Sequence, residues 1–379
     1  MARKKTSSAA RGRRVRYAVV GQGYIAQVAV LPAFAHARRN SELVALFSDD
    51  AQKLRRLGRK YKVDRLYGYD DYERGLQEAE VEAVYIALPN DMHRDYTERA
   101  ARAGVHVLCE KPMAPTVKDC EAMIEAARAN RVRLMIAYRL HFQNGNLEVV
   151  KAVESGRLGQ PRFFSSVFSL QVKDEDNIRL KSENGGGTLW DIGIYCINAA
   201  RYLFREEPEE VFAMTANNGE RRFREVEEMT SAVLRFPGER LASFTCSFGA
   251  ADTASYRLVG AEGDLRLDSA YEYAEGMKLS MTVKGRKQQR TFPKQDQFAP
   301  ELLHFSDCVL AGKEPGPSGR EGLADVRIIE ALYESARKKR PVSLAEFDPG
   351  SRPEPEQQLH RPPIKKPELV NAAPPSGKS

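Results

Sequence analysis

Cysteine is sparse in this chain, and its placement excludes more than its number does. Five residues, Cys109, Cys120, Cys196, Cys246 and Cys308, stand far apart and never in CxxC or CxH spacing. That pattern excludes a disulfide framework and a cysteine-based zinc site, and leaves reduced residues in a core. No metal is expected. Long apolar runs are also missing: nothing approaches the roughly 18 consecutive apolar residues of a membrane helix. Arg13-Arg14 leads straight into an apolar run of strand length, without a signal-peptide apolar region and cleavage site. The expectation is a cytoplasmic protein with no membrane partner. No internal repeat of about 20 to 50 residues is visible.

With 379 residues, 42% of them hydrophobic, the chain can bury the cores of two domains. The net charge of +7 is concentrated in "MARKKTSSAARGRR" and "RRLGRK". Both read as solvated basic faces, and no RNA- or DNA-binding signature accompanies them, so no nucleic-acid partner is expected. An excess of positive charge suits a phosphate-bearing cofactor instead.

Residues 15–139 alternate short apolar runs ("VRYAVV", "ELVALF", "VEAVYIAL", "VHVLCE", "VRLMIAY") with amphipathic stretches such as "AQKLRRLGRKY", "RDYTERAARAG" and "VKDCEAMIEAARAN". This is the rhythm of βα units in a parallel, Rossmann-type sheet. From Pro161 the pattern turns strand-like, with Phe164, Phe168, Leu170 and Val172 on one face, followed by "TSAVLRF", "RLASFTCSF", "YRLVG" and "GDLRLD". Residues 140–345 therefore read as an α+β domain on a large, mostly antiparallel open sheet. Helices are expected from Leu189 to Leu203, Glu301 to Leu310 and Gly322 to Lys338. A basic arm (1–14) precedes these domains, and a Pro-rich, polar tail (346–379) without independent structure follows them.

"VRYAVVGQGYIAQ" is a strand running into Gly21-x-Gly23-x-x-Ala26 and a helix. The first glycine allows a tight turn, the second lets a pyrophosphate approach the backbone, and the small third residue lets helix and strand pack closely. A dinucleotide is the expected ligand. The second strand ends near Ser48, with Lys53 one turn on. A hydroxyl and an ammonium there suit the 2′-phosphate of NADP, with Arg55 or Arg56 as helpers, whereas Asp49 would serve the ribose of NAD. The assignment favours NADP.

Lys111 falls at the carboxyl end of "VHVLC", where ligands of doubly wound sheets bind. Further on, "NGGGTLWDIGIY" sets Gly185 to Gly187 before a helix in which Asp191 and Tyr195 are spaced i, i+4, on one face. By itself that spacing fits a carboxylate at a helix start and a packed aromatic equally well.

Together these stretches resemble the glucose-fructose oxidoreductase branch of the Gfo/Idh/MocA oxidoreductases. The resemblance runs from "YAVVGQGYIAQ" through "AVYIALPNDMH", "VHVLCEKPMA", "LMIAYRLHF" and "GGGTLWDIGIY" to "EGLADVRIIEALYESAR". It implies that Lys111 and Tyr195 are the catalytic pair and that Asp191 contacts a substrate hydroxyl, with Arg139 and Arg179 nearby. For the cofactor it implies Gly21, Gly23, Tyr24 and Ile25 at the turn, with Ser48 and Lys53 on the 2′-phosphate. Pro89, Asn90, His93, Glu110 and Lys111 would stand towards the ribose and nicotinamide. The implied reaction is oxidation of a cyclic aldose at C1, with a second sugar able to take the hydride back. A cation beside Tyr195 favours its phenolate, which is what a base near neutrality requires. Two other readings fit the same residues: a simple aldose or trans-dihydrodiol dehydrogenase using free cofactor, and a non-catalytic dinucleotide sensor. A homo-oligomer, dimer or tetramer, is expected through the open sheet.

Overall fold

The computed structural model describes residues 12–375, so most of the basic arm expected at 1–14 lies outside the described residues. The first domain comprises β1 (Val15–Val20), α1 (Leu31–Ala33), β2 (Ser41–Phe47), α2 (Ala51–Tyr61), β3 (Arg65–Tyr67), α3 (Tyr72–Glu78), β4 (Ala83–Ile86), α4 (His93–Arg102), β5 (His106–Cys109), α5 (Val117–Ala129) and β6 (Leu134–Ile136). The six strands lie in the order β3-β2-β1-β4-β5-β6, every pair parallel. This is the expected Rossmann sheet, and its switch point lies between β1 and β4, where a crevice for ligands opens. β4 is buried at every position because helices cover both of its faces, hence the unbroken apolar run "AVYI".

The second domain holds α6 (Asn144–Glu154), β7 (Pro161–Ser169), α7 (Ile194–Phe204), β8 (Glu210–Ala216), β9 (Met229–Phe236), β10 (Arg240–Ser247), β11 (Thr253–Gly260), β12 (Gly263–Asp268), β13 (Met277–Val283), β14 (Arg286–Phe292), α8 (Ala299–Ala311), α9 (Gly319–Lys338) and β15 (Val342–Ser343). Nine strands form one sheet, β14-β13-β12-β11-β7-β10-β9-β8-β15, with β7 and β10 its only parallel pair. β9 shows the one-faced character most clearly: Thr230, Ala232, Leu234 and Phe236 are buried while Ser231, Val233 and Arg235 are exposed. Burying a side chain such as Leu234 contributes about 1.5–3 kcal/mol. All five cysteines are buried and unpaired.

Two helices tie the sheets together. Leu302, Leu303 and Phe305 of α8 share a core with Val15, Tyr17 and Val19 of β1, and the Tyr17 hydroxyl lies 2.9 Å from Ser306 Oγ. The helix that sequence order puts in the second domain thus covers the first. α9 packs on α5 and β6 through Gly322, where a Cβ would come within 2.8 Å of Ile136.

The Pro-rich tail departs from expectation. It has almost no regular structure, as its composition requires, yet it lies against both domains. Arg352 donates to the Arg201 carbonyl and to Glu207, the Asp296 amide donates to the Arg361 carbonyl, and Val370 is 5% exposed. Its apolar residues are too sparse for a core of their own, but they are seated on one already made. No helix among the described residues is long and apolar enough to cross a membrane.

Candidate active site

Gly21 has φ +90°, and a Cβ there would lie 2.5 Å from the Ala87 carbonyl, so the turn closes this tightly only with glycine. At Gly23 a Cβ would meet nothing within 4 Å. The backbone is therefore open to a close ligand at the position where a pyrophosphate is expected, and these residues fit a dinucleotide. The helix after the turn begins as a wide π turn, Ala26–Val30. Tyr24 and Ile25 are half-buried at its start and pack on the first-domain core. Ser48 lies just beyond β2, its Oγ accepting the Asp50 amide at 3.2 Å. Asp50 caps α2 by accepting the Lys53 amide at 2.8 Å. Ser48, which is buried, and Lys53, in the first turn of α2, the two residues expected at a 2′-phosphate, therefore stand near one strand tip.

Lys111 projects from the end of β5, beside a cis Lys111-Pro112 peptide. Its ammonium donates to the Asp191 carbonyl at 2.7 Å and to Asp191 Oδ1 at 3.2 Å, and it stands 4.8 Å from the ring centroid of Tyr195. Arg179 Nε donates to the other Asp191 oxygen at 2.6 Å. Burial works against the Asp191 carboxylate, but Arg179 and Lys111 override it and hold its pKa at about 2. Burial likewise opposes the Lys111 charge, and Tyr195, Asp191 and Glu110 together raise its pKa. This ion pair therefore persists across the neutral range.

The expected helix from Leu189 begins one step differently: Leu189–Gly193 is a wide π turn and the α-helix proper starts at Ile194. Such turns recur at functional sites. Here the turn carries Asp191 and presents both its carbonyl and its carboxylate to Lys111. The glycine run before it is packed into place: a Cβ on Gly186 would lie 2.5 Å from the Arg179 carbonyl, and Asn90 Nδ2 donates to the Gly185 carbonyl at 2.9 Å. Asn90, beside Pro89 beyond the end of β4, thus clasps the glycine loop before α7 to the first domain.

Three of the expected contact residues are engaged by protein groups. His93 is fully buried with its ring nitrogens 3.0 Å from the Leu88 and Pro112 carbonyls, so it braces the loops after β4 and β5. Glu110 turns inward, accepting from the Tyr85 hydroxyl at 2.8 Å and the Lys111 amide at 3.2 Å. Arg139 is 5% exposed. It donates to Gln297 and to the Tyr271 carbonyl, and its guanidinium lies 5.0 Å from the Tyr195 ring centroid and 5.4 Å from that of Tyr273. It is a second cation behind Tyr195, with its fork engaged by protein. Tyr271, Tyr273, Gln297 and Phe168, whose ring meets Tyr195 edge-on at 5.6 Å, complete the cage. Sequence reasoning missed these four; the aromatic pair in "AYEYAEG" between β12 and β13 was the available signal.

Behind the cage, Glu301 in α8 is completely buried, and neither carboxylate oxygen has a hydrogen-bond partner among the described residues. Burial, with Glu110 close by, pushes its pKa well above the usual carboxylate range. The folded protein then keeps a proton that the unfolded chain releases above about pH 4.3. Stability from this group, full below that pH, is lost as pH rises, by up to about 1.4 kcal/mol per pH unit until the folded pKa is reached. Glu301→Gln is expected to show no such loss: its unfolding free energy relative to wild type should rise between pH 5 and pH 7 in denaturant titrations. A constant difference would mean that Glu301 ionises normally.

A glycine turn open to phosphate, followed in space by a lysine, a tyrosine and a carboxylate, defines a nicotinamide-linked oxidoreductase. Comparison with known proteins agrees. Residues 15–138 match the Gfo/Idh/MocA "oxidoreductase family, NAD-binding Rossmann fold", and residues 146–266 match the C-terminal domain of the same family. The D-xylose 1-dehydrogenase [NADP(+)] of Haloarcula marismortui is 31% identical over 87% of this chain and 93% of its own. The crystal structure of aldose-aldose oxidoreductase from Caulobacter crescentus, complexed with glycerol, superposes with TM-score 0.84 at 40% identity, covering 88% of this chain and all of that one. A 3-ketoreductase from Actinomadura kijaniata, crystallised with NADP and TDP-benzene, gives 0.78 at 27% identity over 85% of this chain and 98% of its own. The chain belongs to the Gfo/Idh/MocA oxidoreductase family, and the expected fold and enzyme class hold.

Proposed function

We propose that the protein is an NADP-dependent sugar oxidoreductase that oxidises the C1 hydroxyl of a cyclic aldose to a lactone and can reduce a second sugar with the hydride gained. The observation that carries this reading is the juxtaposition at the crevice of Tyr195, two flanking cations and the Asp191 carboxylate. NADP, when bound, would supply the hydride acceptor for the C1–H hydride at its nicotinamide C4. Tyr195 accepts the O1 proton as that hydride leaves, and returns it when a carbonyl is reduced. Lys111 and Arg139, over the Tyr195 ring, would offset negative charge on the phenol oxygen. Asp191, fixed by Lys111 and Arg179, holds a neighbouring sugar hydroxyl and orients C1. Ser48 and Lys53 bind the 2′-phosphate of the dinucleotide, Gly21 and Gly23 its pyrophosphate. The outer face of the second sheet exposes Phe163, Met214, Val233 and Leu241, with Leu241 and Phe163 in register on neighbouring strands, and this apolar patch supports a homo-oligomer.

The names of relatives support a second reading, a dehydrogenase that exchanges free cofactor, since both a D-xylose 1-dehydrogenase and a trans-1,2-dihydrobenzene-1,2-diol dehydrogenase are similar to this chain. Absorbance of the purified protein near 340 nm, without added cofactor, separates the two. A rise on adding an aldose, reversed by a second sugar, is the expected result. Response only to supplied NADP would establish the dehydrogenase, and silence under both conditions would remove the enzymatic assignment.

A further inference from the structure

The tail does more than cover a surface. The Val370 amide donates to Gln27 Oε1 and its carbonyl accepts from Gln27 Nε2, both at 2.8 Å, a pairing like one rung of a sheet. The same Nε2 donates to the carbonyl of Gln22, inside the glycine turn, at 2.9 Å. Lys60 Nζ donates to the Glu368 carbonyl at 2.9 Å, and Asn371 Nδ2 to Asp50 Oδ2 at 2.9 Å. Asp50 lies two residues past Ser48, and its other oxygen is taken by the Lys53 amide. By Pro375 the chain has reached the second domain, where its carbonyl accepts the Lys173 amide at 3.3 Å. Upstream, Ile364 and Lys366 line a cavity of about 170 Å³ together with Tyr24, Val28 and Tyr273.

Between Asn371 and Pro375 the tail therefore passes from the first domain to the second. Its anchors on the first domain are the glycine turn and the tip of β2, the two places that a dinucleotide of this fold spans. We propose that residues 364–375 form a wall of the cofactor site, a strap over its adenosine end that retains the dinucleotide while sugars enter and leave on the Lys111 side. The inference rests on the dinucleotide reading given above, and it assigns the hydride to a carrier that stays bound between two sugars.

The test measures release of bound NADPH, by its fluorescence, after mixing the loaded full-length protein with excess NADP. Val370→Asp should raise the release rate about tenfold or more, because disruption of one contact surface acts mainly on dissociation. A chain ending at Pro363 should do the same and lose its nucleotide on gel filtration. Thermal unfolding of both variants without nucleotide, unchanged from wild type, would show that the fold is intact. Release within about twofold of wild type in both variants would overturn the strap, as would slower release from the shortened chain, which would make the tail a plug. If Val370→Asp does not fold, the shortened chain decides alone. A wild-type chain that binds neither NADP nor NAD would bring down the cofactor reading and the strap together, and that outcome is recognised before any variant is made.

Discussion

Tyr195→Phe is expected to lower kcat for aldose oxidation by about two to four orders of magnitude while leaving the sugar KM within about threefold. The substitution deletes one oxygen and leaves the ring, which is what Phe168 packs on and what Lys111 and Arg139 lie over. The cage therefore keeps its shape, and the lost rate reports proton transfer alone. Lys111→Met tests the neighbouring role with a different signature: it frees Asp191 from one of its two cations, so the sugar KM should rise together with the fall in kcat. Turnover of Tyr195→Phe within tenfold of wild type would exclude the phenol as the proton acceptor.

Arg201→Met is expected to cost about 3–5 kcal/mol of stability, the usual penalty for removing one partner of a buried ion pair. Arg201 is fully buried in α7, one helix with Tyr195, and donates to Glu207 at 2.6 Å, to Asp325 at 2.6 Å and to Glu321 at 3.1 Å. Burial pushes the Asp325 pKa up to about 6 even with Arg201 beside it. Without the guanidinium the acids of α9 stay folded only by taking up protons, and that stability is lost as pH rises. The deficit should therefore be larger at pH 8 than at pH 5.5 in urea unfolding. Adding Glu321→Gln and Asp325→Asn to Arg201→Met should recover part of it. A deficit independent of pH would assign the cost to packing instead of charge.

The parts of this site legible in the sequence are those where local chemistry and position coincide. The glycine turn, the lysine at a strand end and the i, i+4 pair after three glycines each declare themselves within a dozen residues. What stayed hidden is long-range. Arg139 reads equally as a substrate contact and as packing at the domain junction, and only the meeting of 139, 271 and 297 shows it seated behind Tyr195. Arg201, Glu321 and Asp325 look like surface charges on helices until the helices are packed. β14, "RKQQRTF", is an edge strand exposed at six of its seven positions, so it lacks the alternation that marks a strand. β3 is three residues long, too short for a period. In the tail, Ile364, Leu369 and Val370 are apolar residues among prolines and charges, and nothing nearby reveals that their partner surface was made more than 300 residues earlier, at Gln27.

The shared core of β1 and α8 sets a schedule for synthesis. A ribosome has finished all six strands of the nucleotide-binding sheet once Ile136 is made, yet the face formed by Val15, Tyr17 and Val19 is covered only in part, by Phe34 and its neighbours, until Leu302, Leu303 and Phe305 emerge. For most of its translation the nascent protein carries an incompletely covered apolar layer. The segment that looks like a self-sufficient module would, if expressed alone as 15–139, expose the same layer to its neighbours. In this molecule the beginning is completed by the end.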